Sequence, residues 1–570
     1  MKASDYIVRF LEAQGIEYVF GYQGGMITHL VDSLYRSRRI KFIQCYHEQS
    51  AAFAAEGYAR ASGKFGVCIT TSGPGATNAI TSIGNAYFDS IPVLYITGQV
   101  NSGEYKYNRK IRQLGFQETD IVSVVRPISK WAKLADSPDH LATDLKNAVS
   151  TMLTPRMGPA LIDLPMDVQR AELKIDETPE KIRRICFPDL IQDHDVTTAL
   201  AALASAKRPF AICGGGLSNV DVQKDAGEFL ARTKIPYAVS LMGKGLIPEN
   251  SDQFVGMVGC YGNRAANLAL SEADVVLCIG TRLDSRQTGR RTSPLLKNIL
   301  FIRIDIDAHE ILDNQVPNQI GIVADVADFF HHRTVQAFRQ PPPLAWMARI
   351  RFLKNVRSQR EDVRRFADSK VPYEVLEALS ELSENETLFV ADIGQNQMWA
   401  AQTLRCGSGR GFLTSGGMAP MAYAIPAAVG AAFANPERQI VCICGDGGFH
   451  MALQSLMLIS QYALRIAVIV FNNHALGMIT QFQRLYFNGN LIGTSADGGY
   501  LVPDIAHLAT AYGIPYRKIR TADALTKQML NGPIIIEVEI DGLTSVVPKL
   551  EFNRSLDDMT PSWPIGEEGR

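Results

Sequence analysis

The chain has 570 residues, with 57 Lys and Arg against 58 Asp and Glu, a net charge of −1, 46% hydrophobic and 20% charged residues. That length is too great for one hydrophobic core, so three or four domains are expected, and the near-neutral balance argues against nucleic acid or an anionic membrane as partner. Nine cysteines without regular spacing, a start (Met1-Lys2-Ala3-Ser4-Asp5) lacking a signal peptide's apolar core, and a longest apolar stretch (418–434) broken by Pro420 and Pro426 predict a reduced, cytoplasmic protein without a membrane span.

Residues 1–175 alternate strand and helix signals. Residues 18–21 are predicted as a strand ending in a Gly-rich loop, 42–46 as a second strand and 48–61 as an Ala-rich helix. Strands at 65–70 and 92–97 follow, the first running into Ser72-Gly73-Pro74-Gly75-Ala76-Thr77-Asn78. Residues 190–335 repeat the alternation. There 211–213 leads into Gly214-Gly215-Gly216, 275–279 into Gly280-Thr281-Arg282, and 301–304 into Asp305-Ile306-Asp307. Gly and Asp at strand ends suggest a dinucleotide, although this glycine run departs from Gly-x-Gly-x-x-Gly. Gln340-Pro341-Pro342-Pro343 is a stiff linker. The third unit spans 370–545, and a polar, Pro-containing tail, 546–570, is expected either to cover the site or to stay mobile. The alternation predicts an α/β fold of three doubly wound, parallel-sheet domains.

The third unit carries the most informative stretch. Residues 440–444 are a short run rich in β-branched residues, hence a buried strand. Gly445-Asp446-Gly447-Gly448 breaks it, 449–464 has helical spacing, and 466–471 is a second strand ending at Asn472-Asn473. A right-handed crossover between parallel strands would set Asp446 and Asn473 just past their carboxyl ends, the edge where open α/β sheets bind ligands. An Asp carboxylate, an Asn carbonyl and a backbone carbonyl are hard oxygen donors that suit Mg²⁺ shared with a phosphate. The glycines let backbone N–H groups approach phosphate oxygens.

Gly-Asp-Gly followed by Asn-Asn resembles the signature of the thiamine diphosphate (ThDP) enzymes. The resemblance implies that Asp446, Asn473 and the carbonyl of Ala475 hold Mg²⁺, with Gly445, Gly447, Gly448, Gly477 and Met478 around the diphosphate. Residues 392–399 are similar to the family's diphosphate loop, which places Gly394 and Gln395 on the cofactor, although Asn396 stands where His is usual. Residues 415–421 align with the loop whose apolar residue wedges ThDP into its V shape, here Met421, while a Met by itself is more often core filler. His47-Glu48-Gln49-Ser50-Ala51-Ala52 looks like the pyrimidine-binding segment. Glu48 would then hydrogen-bond the aminopyrimidine and serve the proton relay to the reactive carbon; taken alone, it is equally a first-turn acid favoured by the helix dipole. Ser72 is placed on the cofactor by the same resemblance.

Within the family the chain is similar to acetolactate synthase and its FAD-containing relatives. Phe116-Gln117-Glu118 matches the tripeptide at the reacting 2-oxoacid, with Gln117 catalytic and Phe116 on the substrate. Residues 158–165 match the end of the first domain, but Met166 stands where acetolactate synthases usually carry Lys. Leu241-Met242-Gly243, Gly256-Met257-Val258-Gly259, Gly280-Thr281-Arg282 and Asp305-Ile306-Asp307 occur in the order of the FAD-binding members. This implies FAD on Gly214, Gly215, Gly216, Leu241, Met242, Gly280, Arg282, Asp305 and Ile306. Arg286 matches the Arg that meets the second substrate's carboxylate, and Phe482 replaces the usual acceptor-selecting Trp. The implied activity is a carboligase that decarboxylates a 2-oxoacid, pyruvate foremost, and transfers the two-carbon unit to a second carbonyl compound. FAD would be structural, and Glu48 and Asp446 would meet across two chains of a homodimer or homotetramer. Met166 and Phe482 leave open a nucleotide-linked keto sugar as acceptor. An oxidase using the flavin, or a non-catalytic scaffold, is a more distant alternative.

Overall fold

A computed structural model of the chain describes residues 1–174, 179–183, 191–289, 294–314, 316–407 and 409–563. Three six-stranded parallel sheets, each flanked by helices, form the framework. The first is ordered in space Lys41–Gln44, Tyr18–Gly21, Gly66–Thr70, Val93–Gln99, Ala160–Pro165, Trp131–Leu134. The third repeats that order with Gly411–Leu413, Leu388–Ala391, Ile440–Gly445, Ile466–Asn472, Ile534–Glu539, Tyr516–Ile519. The second runs Gln319–Val323, Leu300–Asp305, Val275–Ile279, Pro209–Cys213, Tyr237–Val239, Phe254–Met257.

Each order reverses beside its first strand, and such a reversal opens a crevice at the carboxyl edge. In the third sheet the crevice lies between Leu388–Ala391 and Ile440–Gly445. The strands that flank it are continuous apolar runs because helices cover both faces. Ile440–Gly445 pairs residue by residue with Ile466–Phe471, so Gly445 faces Phe471 and the turns that follow start side by side.

Helix Glu48–Ser62 of the first unit crosses helix Ala424–Ala434 of the third at backbone distance. A Cβ on Gly57 would stand 2.0 Å from the Ala427 carbonyl oxygen, and one on Gly430 would stand 1.8 Å from that of Ala54. Phe433 closes the crossing against Tyr18 and Phe20. Gly57→Ala is therefore expected to force the helices apart, at a cost of about 1–3 kcal/mol. The check is the urea midpoint of the apoprotein, and an unchanged midpoint would show that the helices have room to spare.

Two expected elements, a helix and a strand, are corrected. The helix expected over 449–464 is broken into helix Asp446–Met451, a tight turn Leu453–Ser455 and helix Leu456–Gln461. The break re-phases the segment so that Leu456, Leu458 and Ile459 are buried while Met451 stays exposed. The described part of the tail packs on the second unit, and 564–570 lie outside the described residues. Arg264 donates to the carbonyls of Met559 and Pro561 at 3.1 and 2.7 Å, and Trp563 lies 3.9 Å under the Arg357 guanidinium. The strand expected at 42–46 ends at Gln44, and the linker leads into helix Leu344–Val356, whose Trp346 donates to the Pro209 carbonyl. Among the described residues all cysteines are free thiols, and no helix is long and apolar enough to cross a membrane.

Candidate active site

Asp446 follows the strand Ile440–Gly445 directly and opens a short helix, so its carboxylate stands at the third sheet's crevice. It is 2% exposed. Burial raises its carboxyl above the usual range, and the Tyr500 hydroxyl pulls it back. Tyr500 donates to Oδ1 at 2.7 Å, while Oδ2 has no partner among the described residues. A buried carboxylate oxygen left without a donor is costly unless a cation takes it.

Asn473 lies at the end of the neighbouring strand. Its Nδ2 donates to Gln395 at 3.3 Å, and its Oδ1 accepts from the Ala475 amide at 3.3 Å. Gln395 is fixed in turn by donating to the Thr544 carbonyl at 2.8 Å. A Cβ on Gly477 would fall 1.9 Å from Gln395 Oε1 and 2.5 Å from Asn473 Nδ2, so only glycine fits there. Gly394, at φ 134°, has no room for a Cβ, which would stand 2.7 Å from Asn396 Oδ1, and Asn396, where His is usual in the family, donates from Nδ2 to the Asp392 carbonyl at 2.7 Å. Met421 sits between Ala419 and Ala422, both at positive φ, and its Cε comes within 3.0 Å of a Cβ built on Gly447. Gly448 turns over Asp392, and Met478 packs against the apolar core. The structure thus gathers Asp446, Asn473, Gln395, Gly477 and Met421 at one edge. Their hard oxygen donors fit Mg²⁺ with a diphosphate.

The first sheet's carboxyl edge collects a second group. Glu48, 8% exposed, accepts from Asn78 Nδ2 at 2.9 Å. A Cβ on Gly75 would stand 3.4 Å from Glu48 Oε1, and one on Gly73 would stand 3.1 Å from the Gln117 carbonyl. Gln117 is held at φ 64°, Phe116 is 79% exposed, and Ser72 is buried with its hydroxyl unpartnered among the described residues. The neighbouring Glu118 organises this loop by accepting from the amides of Lys106 and Leu114 at 2.8 and 2.6 Å. Met166 follows strand Ala160–Pro165 at the same edge.

Within one chain these two groups stay apart. It is the Arg60 end of helix Glu48–Ser62 that reaches the third sheet's carboxyl edge, donating to the Thr414 carbonyl at 2.6 Å. Glu48 begins the same helix, about 18 Å away at 1.5 Å per residue. The hydrogen bond to its carboxylate comes from its own sheet.

At the second sheet's reversal, Gly214, Gly216 and Gly280 pack backbone on backbone; a Cβ on Gly214 would lie 2.2 Å from the Gly280 carbonyl. Met242 of the turn Leu241–Gly243 borders Gly215 and Gly416. Arg282 approaches Asp284 at 3.9 Å, Asp305 accepts from the Asp307 amide at 3.0 Å, and Ile306 lies between them in sequence at the strand end. Arg156 of the first unit closes this edge on Asp307 and Glu310. Glycine backbone at a reversal point, with Arg and Asp side chains at its rim, fits a dinucleotide.

Arg286 is exposed, with its guanidinium 5.7 Å from the Tyr261 ring. Phe482 packs on Tyr486 at 4.9 Å, Phe487 at 5.7 Å and, edge-on, Phe552 of the tail at 5.7 Å. Tyr500, Glu118 and Phe552 were not singled out from the sequence. Glu118 lies inside the Phe-Gln-Glu tripeptide that could have flagged it, whereas Tyr500 and Phe552 sit in no motif.

Family models described as thiamine pyrophosphate enzyme N-terminal TPP binding domain, central domain and C-terminal TPP binding domain match residues 1–124, 196–332 and 392–538. The chain is 34% identical to the probable acetolactate synthase large subunit of Methanococcus aeolicus, over 98% of this chain and 95% of the relative. It is 33% identical to the acetolactate synthase large subunit of Haemophilus influenzae, over 100% and 99%. To the acetolactate synthase isozyme 2 large subunit of Escherichia coli it is 34% identical, over 98% and 99%.

Proposed function

The chain belongs to the thiamine pyrophosphate enzymes, among the acetolactate synthase large subunits, and from that premise we propose how its residues run a ThDP-dependent carboligation of 2-oxoacids. The donor is pyruvate, and the two-carbon unit left after loss of CO₂ joins a second carbonyl compound. The observation that carries this reading is the Asp446 carboxylate, buried at the crevice with Oδ2 unpartnered among the described residues, next to Gly447, where a Cβ would meet Met421.

Asp446, Asn473 and the Ala475 carbonyl would hold Mg²⁺, and the glycine turns 394, 445, 447, 448 and 477 would receive the diphosphate. ThDP, when bound, supplies the electron sink for decarboxylation. Glu48 holds the proton that the aminopyrimidine exchanges, Ser72 offers its unpartnered hydroxyl, and Gln117 and Phe116 set the 2-oxoacid. Arg286 grips the acceptor's carboxylate with its fork. FAD would lie on Gly214–Gly216, Leu241, Met242, Gly280, Arg282, Asp305 and Ile306 as a structural group. The separation of Glu48 from Asp446 within one chain favours a homodimer, or a homotetramer of two such pairs, in which each half-site is completed by a second chain. The relatives are named large subunits, so a smaller regulatory partner is part of this proposal, as is a cytoplasmic location.

The test is product analysis with the purified chain, ThDP, Mg²⁺, FAD and pyruvate. Acetolactate is expected; a chain that binds ThDP yet forms none would overturn the reading. Met166 removes a cation from the acceptor side, which favours a broader acceptor range that includes bulkier neutral ketones. Because Phe552 already fills the space beside Phe482, Phe482→Trp must displace the tail residue. It is expected to lower kcat/KM for a bulky ketone more than for pyruvate as acceptor. An unchanged ratio would mean that Phe482 does not line the acceptor side.

A further inference from the structure

The two oxygens of Asp446 are treated differently by the fold. Oδ1 takes the Tyr500 hydroxyl at 2.7 Å, and Oδ2 is buried and has no partner among the described residues. Tyr500 lies far along the chain, yet its hydroxyl comes to 2.9 Å from a Cβ built on Gly447, in the same small space as Leu476 Cδ2 at 2.9 Å and Met421 Cε at 3.0 Å.

The segment bearing Tyr500 is a compact turn rather than a loose arm. The Gly493 amide donates to the Gly498 carbonyl at 2.7 Å, and the Tyr500 amide donates to the Ser495 carbonyl at 2.9 Å. That turn is pinned to the metal loop itself. The Leu476 amide donates to the Thr494 carbonyl at 3.0 Å, and the Thr494 hydroxyl donates to Gln483 at 2.6 Å. Leu476 directly follows Ala475 and precedes helix Gly477–Tyr486, so the phenol and the metal-side residues share one platform.

We propose that Tyr500 is the positioning residue of the metal site: its hydroxyl fixes the Asp446 carboxylate through Oδ1 so that Oδ2 is presented to the ion, and the turn 491–500 is coupled to metal occupancy through it. This rests on the assignment of Asp446 to Mg²⁺ made above. A metal-ligating carboxylate is commonly oriented by such an outer partner, and losing one typically costs 10–100-fold in metal affinity. Without the hydroxyl, no side chain among the described residues donates to Asp446, and its carboxylate is free to turn.

Tyr500→Phe isolates the effect, since the ring stays over Gly447 and only the hydroxyl goes. The experiment is calorimetric titration of the dialysed full-length chain with Mg²⁺ at saturating ThDP, for wild type, Tyr500→Phe and Asp446→Ala. The thermal midpoint of each metal-free protein is measured beside it. Tyr500→Phe is expected to raise the Mg²⁺ Kd about 10–100-fold, with the metal-free midpoint unchanged. A purely structural tyrosine would instead lower the midpoint and leave the Mg²⁺ Kd alone; that result overturns the inference. Wild-type affinity in Tyr500→Phe, with binding lost in Asp446→Ala, overturns the role of Tyr500 and leaves the metal site standing. Wild-type affinity in both variants removes the metal assignment, and this inference with it.

Discussion

Glu48→Gln is expected to lower acetolactate formation by about 10²–10⁴-fold, the usual worth of a positioned acid–base group, while the protein still folds and binds ThDP. The side chain keeps its size, and the amide carbonyl can still accept from Asn78 Nδ2, which now donates to the carboxylate at 2.9 Å. What is lost is a group able to hold and return a proton at a site only 8% exposed, where water cannot readily substitute. Glu56, two turns along the same helix, is the internal control. It is fully buried, its carboxyl is pushed up to about 7 by burial, and both its oxygens accept from Asn85 Nδ2. Its replacement should affect the seat between the first and third units rather than proton exchange. The check is the deuterium exchange rate of the ThDP reactive-carbon proton, beside kcat. Exchange at the wild-type rate in Glu48→Gln would remove Glu48 from the relay.

Asp446→Ala carries the second large effect. ThDP affinity in the presence of Mg²⁺ should fall by at least the roughly 10–100-fold that loss of an outer partner already produces, and raising Mg²⁺ and ThDP should restore part of the activity. The metal-free protein should be no less stable than wild type, because the carboxylate it loses is buried, raised by desolvation and only half satisfied; removing an under-compensated buried charge relieves a cost. Loss of cofactor affinity without loss of stability separates a metal ligand from a structural acid. Equal ThDP affinity in mutant and wild type would place the metal elsewhere.

The sequence by itself determined what depends on short-range patterning. Apolar, β-branched runs covered on both faces can only be interior strands, so Val275–Ile279 was found to the residue and Ile440–Gly445 to within one. The turns that end such strands in Gly, Asp or Asn are equally local, which is why Asp446 and Asn473 are expected at the carboxyl edge from the sequence alone, whereas Gly394 is named only through the resemblance. Glu48 could be named only because a motif surrounds it, since a first-turn glutamate has an ordinary explanation of its own. What needed the tertiary structure lies in contacts between segments distant in sequence. The helix expected over 449–464 breaks because its side chains must meet a core laid down by other strands, and packing overrides local propensity. The described part of the tail is held by Arg264 and Arg357, and neither is near it in the chain. Tyr500 follows two glycines in a turn-rich stretch with no periodicity, so only the fold of that turn onto Leu476 brings its hydroxyl to Asp446. The separation of Glu48 from Asp446 follows from which end of one helix meets the third sheet. That is set by how Gly57 and Gly430 let two backbones cross, a close approach that a glycine permits but does not announce.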